Sequence, residues 1–174
     1  VGLPALCAAV ALMLSADYRL ERVTTFLDPF KNTSDEGWQV VQSLYAIGSG
    51  GFFGLGLGQS RQKFLYLPEP QNDFIFSVIC EELGFIGAAL VIALFTLLIW
   101  RGVRIAINAP NKFASLLVIG IMGLIAIQVI INIAVVTSSV PATGMPLPFF
   151  SYGGSSLVFI LGEMGVVLSI SRET

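Results

Sequence analysis

Four stretches of the chain, residues 1–16, 83–100, 113–136 and 157–170, are built almost wholly of Leu, Ile, Val, Phe, Ala and Gly, and together they carry a single charged side chain, Glu163. The hydrocarbon core of a bilayer, about 30 Å thick, takes roughly 20 apolar residues in helical form. Residues 83–100 and 113–136 satisfy that length, and the last stretch reaches it when Gly153, Gly154, Ser155 and Ser156 are added ahead of it. Residues 1–16 read as a span lacking its start. A secretory signal is the weaker reading there, because neither an initiating Met nor a basic segment precedes the apolar run. The pattern predicts a partial span (1–16), a long polar loop (17–72) and a helix entering the membrane (73–100). A basic turn (101–112), a span (113–136), a Pro- and Gly-rich loop (137–153) and a last span (154–170) follow. The fold class is therefore all-α, a polytopic transmembrane helix bundle with a large loop outside the membrane.

Composition agrees with a bilayer setting. Hydrophobic residues make up 55% of the chain and charged residues 11%, where soluble domains carry about 25% charged residues, and the mean hydropathy is +0.85. A net charge of -2 without a basic run argues against nucleic acid as a partner. Arg101, Arg104 and Lys112 sit between two spans with no acidic residue among them, which places that turn in the cytoplasm. Loops 17–72 and 137–153 then lie outside, and the C-terminus with Arg172 lies inside. Cys7 and Cys80 are far apart, with no C-x-x-C spacing, and read as buried thiols. Histidine is absent, which removes His-dependent catalysis and His-ligated metals, so acid–base chemistry falls to Asp and Glu.

Loop 17–72 far exceeds the usual connection between packed helices, and loops of such length are commonly functional. Within it, Val40, Val41, Leu44, Tyr45 and Ile47 oppose Gln39, Gln42 and Ser43, as in an amphipathic helix that lies on the membrane or packs on the protein. Gly48 to Gly51 ends that helix, and alternating glycines follow to Gly58. They lack the strand–turn–helix setting of a dinucleotide fingerprint. Close backbone approach to the bilayer or to a bulky ligand suits them better.

Residues 59–82 bring Arg61 and Lys63 close in sequence to Glu69, Asp73, Glu81 and Glu82. The two cations suit a diphosphate, or equally lipid headgroups. Pro68 and Pro70 stiffen the segment that delivers Asn72 and Asp73. Asp73 stands at the first turn of a helix, either as a cap or as a rigidly presented base, and Asp73→Asn separates the two because Asn caps but takes no proton. Glu81 and Glu82 lie in apolar sequence, so they face a protein interior or wet cavity, or sit at headgroup depth. Eight helical residues set Asp73 and Glu81 roughly 12 Å apart, beyond the ~5–9.5 Å of a glycosidase carboxylate pair, which favours a single base. Gln128 and Asn132 share one face of the third span, for helix–helix bonding or ligand contact. The apolar, breaker-rich segment 141–156 suggests irregular backbone packed in protein or lining a cavity.

Taken in order, Gln42-Ser43, Gly48 to Gly51, the glycines to Gly58, Leu67-Pro68-Glu69, Asp73-Phe74-Ile75-Phe76, Glu81-Glu82-Leu83-Gly84 and Pro148 to Ser156 resemble the SEDS proteins (shape, elongation, division and sporulation). Residues 59–63 and 66–70 look more like the FtsW and stage V sporulation protein E branch than the RodA branch. The resemblance covers nearly the whole chain. It implies that this chain supplies the last spans of a bundle of about ten helices in a bacterial cell membrane, and a glycosyltransferase that polymerises lipid II into peptidoglycan strands. The family's essential Asp falls on Asp73, as base for the acceptor sugar's 4-hydroxyl, with undecaprenyl diphosphate leaving. Arg61, Lys63, Gln42, Glu69, Ser151, Gly153, Gly154 and Ser155 become candidate substrate contacts, with Glu81 and Glu82 as supporting acids. The reaction is metal-independent or assisted by a divalent cation, and a class B penicillin-binding protein is the expected partner. Asn72 stands where many members have Thr, and Leu65 where some division proteins carry an acid, so an auxiliary carboxylate at that position is absent here. Rival readings are a lipid II flippase and a non-catalytic scaffold that activates a penicillin-binding protein.

Overall fold

The structure, a computed structural model, describes Phe26 and residues 35–60 and 72–173. Among these residues there are four long helices and no strand: α1 (Asp35–Gly50), α2 (Ile75–Asn108), α3 (Lys112–Val136) and α4 (Gly154–Ser171). The predicted span 1–16 and the candidates Arg61, Lys63 and Glu69 lie outside the described residues. Helices α2, α3 and α4 are each long and apolar enough to cross a membrane. They are hydrophobic all round rather than along one stripe, the pattern of helices whose outer faces also meet apolar surroundings: Leu90, Leu94 and Leu97 of α2 and Leu116 and Ile130 of α3 are exposed.

Helix α2 passes through Arg101 and Arg104 to Asn108, so the turn predicted over 101–112 shortens to Ala109, Pro110 and Asn111. Nothing between Trp100 and Pro110 breaks the helix, and long cationic side chains can ride on an apolar helix while their heads seek polar surroundings. The Arg104 guanidinium lies 5.2 Å from the centre of the Trp100 ring. Helix α3 starts cleanly because the Asn111 side chain accepts a 2.8 Å hydrogen bond from the Ala114 amide.

The main core lies between α2 and α3, with Val91, Phe95, Ala106, Val118, Ile125 and Val129 buried. Gly102 lets the two helices approach: a Cβ there would fall 2.2 Å from Met122 Sδ. Helix α1 wedges against both. Of the two readings for that helix, packing on the protein holds, since Val40, Val41, Gln42 and Ser43 are all buried. The Ser43 hydroxyl donates to the Val136 carbonyl at 2.9 Å, tying α1 to the end of α3.

Among the described residues the alternating glycines make their close backbone approach to a break in α2. Gly84, with φ 67° and ψ -165°, interrupts the helix in a conformation that only glycine adopts without strain. The carbonyls freed by the break, those of Glu81 and Glu82, accept from the amides of Leu55 (2.9 Å) and Gly56 (3.0 Å). The amides of Phe85 and Ile86 in turn donate to the carbonyls of Gly51 (2.9 Å) and Phe52 (3.3 Å). The two backbones lie so close that a Cβ on Gly54 would fall 2.2 Å from the Glu82 carbonyl oxygen. A broken helix at membrane depth is tolerated only when its backbone groups find partners in this way.

Candidate functional site

Asp73 lies two residues before the start of α2. The N-cap residue is Phe74, and no side chain caps the helix there, so Asp73 does not occupy the capping position. Its carboxylate turns instead toward the second loop: Oδ2 lies 3.6 Å from the place a Cβ on Gly144 would take. Gly144 has φ +69°, and a glycine there lets the loop backbone face a half-buried acid without covering it.

Two side chains join the segment that carries Asp73 to this loop. Asn132, 1% exposed on α3, donates from Nδ2 to the carbonyls of Asp73 (2.8 Å) and Met145 (2.7 Å). Ser151 donates to the Asn72 carbonyl at 2.6 Å and accepts from the Leu147 amide at 2.7 Å. Around this junction the loop is irregular but buried at Leu147 and Pro148. Phe149 takes a positive φ of 65°, a strained conformation for a bulky residue. Its ring stacks on Phe95 with centroids 6.4 Å apart, and Phe150 meets the same ring at 5.9 Å. The expectation of irregular backbone packed in protein thus holds for this stretch.

The other sequence candidates fall elsewhere. Gln42 is buried in α1. Glu81 is 1% exposed and accepts a short hydrogen bond from the Ser60 hydroxyl, which ties it to the end of the glycine loop. One carboxylate oxygen of Glu82 is buried with no hydrogen-bond partner among the described residues. Gly153 is the N-cap residue of α4, and its amide donates to the Ser151 carbonyl at 3.0 Å. Gly154 and Ser155 are exposed in the first turn of that helix, which has no side-chain cap. Among the described residues no three Cys, Asp or Glu side chains group as a metal site would require.

The sequence pattern left Gly144 unremarked and Asn132 between two roles. An amide in an otherwise apolar span was the available signal for Asn132, since such a group must find partners. Its partners are loop carbonyls rather than another helix.

Comparison with known proteins shows what the chain is similar to. The family model covering FtsW, RodA and SpoVE, described as cell cycle protein, matches residues 2–174. Stage V sporulation protein E of Bacillus subtilis is 56% identical over 172 residues, covering 99% of this chain and 47% of that protein. A probable peptidoglycan glycosyltransferase FtsW of Geobacter sp. (strain M18) is 47% identical over 173 residues, covering 99% of this chain and 46% of the relative. The chain therefore spans about half the length of these relatives. Among solved structures, a chain from a peptidoglycan synthase complex that coordinates polymerization and crosslinking superposes with a TM-score of 0.74 at 31% identity, over 98% of this chain and 48% of that one. The rod shape determining protein RodA of Thermus thermophilus gives a TM-score of 0.55 at 40% identity over 58% of this chain and 33% of its own.

Proposed function

This chain belongs to the FtsW, RodA and SpoVE family of cell cycle proteins, and from that membership we propose that it forms part of a multi-pass membrane glycosyltransferase that polymerises lipid II into peptidoglycan during division or sporulation. Asp73 is the general base. It takes the proton of the acceptor sugar's 4-hydroxyl as that oxygen attacks the donor's anomeric carbon. The bond to undecaprenyl diphosphate breaks, and the configuration at the anomeric carbon inverts. A diphosphate is already a good leaving group, so one base suffices, while Arg61 and Lys63 offset the charge that develops on it. Glu81, buried and bound by the Ser60 hydroxyl, stays out of the step.

The observation that carries the reading is the Asp73 carboxylate, ahead of α2 and turned toward Gly144 where the two non-cytoplasmic loops meet. Loops 17–72 and 137–153 face outward and the Arg101–Lys112 side faces the cytoplasm. A class B penicillin-binding protein that cross-links the product is the natural partner.

The test uses the full-length protein that contains this chain, purified with its partner and supplied with labelled lipid II. Wild type forms glycan polymer, and Asp73→Asn, which preserves shape but accepts no proton, loses at least about a hundredfold in rate, the lower end of a general base's usual contribution. Normal polymerisation by the Asn variant would remove Asp73 from the chemistry. Movement of lipid II across vesicles without polymer would favour a flippase.

A further inference from the structure

We infer that Asn132 and Ser151 are positioning residues that act through Asp73, an inference that rests on the reading of Asp73 as base. The carbonyls of two successive residues, Asn72 and Asp73, are each bound by a side chain that also holds the second loop. Ser151 links Asn72 to Leu147, and Asn132 links Asp73 to Met145. Asn132 springs from the buried face of a 25-residue helix, so the clamp is referred to a rigid element rather than to another loop.

The chemistry of the two side chains fits this role and no obvious other. Both Nδ2 hydrogens of Asn132 are used on carbonyls, and the reversed amide would set its oxygen against both acceptors, so the orientation is dictated. Its Oδ1 is buried without a partner among the described residues, a cost that the two Nδ2 bonds offset. The Ser151 hydroxyl has one hydrogen to give and gives it to Asn72. Its one donor is therefore spent on protein.

The clamp holds the main chain behind the Asp73 carboxylate against the loop segment that follows Gly144. Loss of either bridge frees the main chain behind the carboxylate. A displacement of about 1 Å is enough to cost about a hundredfold in rate.

The experiment measures steady-state polymerisation of labelled lipid II by the full-length protein with its partner, for wild type, Asp73→Asn, Ser151→Ala, Ser151→Thr and Asn132→Ala. The expected result is a fall in kcat of ten- to a hundredfold for both Ala variants, with KM within about threefold, and recovery in Ser151→Thr, which keeps the hydroxyl. If Asn132→Ala does not fold, the Ser151 pair decides, because that side chain is only half-buried. An unchanged kcat in Ser151→Ala, or a raised KM at constant kcat, overturns the inference while leaving Asp73 as base. A loss in Ser151→Thr as large as in Ser151→Ala also overturns it. Wild-type polymerisation by Asp73→Asn removes the base reading itself, and the positioning role with it.

Discussion

Replacing Gly84 with Ala tests whether the glycine loop and the break in α2 form one structural unit. The new methyl group would meet the Gly54 nitrogen at 2.3 Å and the Phe52 carbonyl oxygen at 2.6 Å. Both are backbone atoms, so the loop would have to withdraw. The backbone angles at Gly84 add strain of about 2 kcal/mol for any side chain. Withdrawal threatens the hydrogen bonds that join Gly51, Phe52, Leu55 and Gly56 to residues 81–86. Losing two of them at about 1 kcal/mol each brings the total to about 4 kcal/mol, a large share of the ~5–15 kcal/mol that holds a protein folded. In hydrocarbon the unsatisfied groups would cost more. Thermal unfolding of the full-length protein in detergent, followed by loss of the monodisperse peak, reads this directly. Gly123→Ala in α3 is the control: its Cβ meets nothing within 4 Å, and Ala in place of a helical Gly is neutral or stabilising by up to about 1 kcal/mol. Equal melting of Gly84→Ala and wild type would refute the coupling.

Three further outcomes follow from individual contacts. Gly102→Ala pushes a methyl group to 2.2 Å from Met122 Sδ and should destabilise by about 1–3 kcal/mol; in a Met122→Ala background the same change should cost almost nothing, which a double-mutant cycle of melting temperatures checks. Ser60→Ala removes the hydroxyl that donates to the buried Glu81 carboxylate, an expected loss of about 1–3 kcal/mol that thermal unfolding of the full-length protein in detergent reads. Gly144→Ala combines a positive φ with a methyl group 3.6 Å from Asp73 Oδ2; strain of about 1–2 kcal/mol should lower stability modestly, while the polymerisation rate falls further than stability explains because the methyl group touches the proposed base.

The spans were legible because hydrocarbon imposes a length and an apolar composition that any run of residues either has or lacks. The ends of α2 were less legible. Arg101 and Arg104 read as a turn by charge, yet they continue the helix, since the first breaker beyond them is Pro110. The glycine run was visible as an unusual backbone, but its partner was not. Pairing of residues 51–56 with 81–86 joins two segments about thirty residues apart in sequence, and no local periodicity encodes that distance.

Asp73 shows the same division. Residue type and neighbours, read by themselves, make it a helix cap or a base. Its place ahead of the N-cap residue Phe74, and the turn of its carboxylate toward Gly144, exist only once α2, α3 and the 137–153 loop are packed together. Asn132 was marked by its polarity in an apolar span, because a buried amide must find partners, but which carbonyls it would bind depended on where two loops meet. The sequence by itself determined an all-helical membrane bundle and the family, since hydropathy and ordered motifs are local properties of the chain. The tertiary structure alone decided what the glycines approach, which loop faces Asp73 and what holds it there, since those are contacts between segments that the chain order keeps apart.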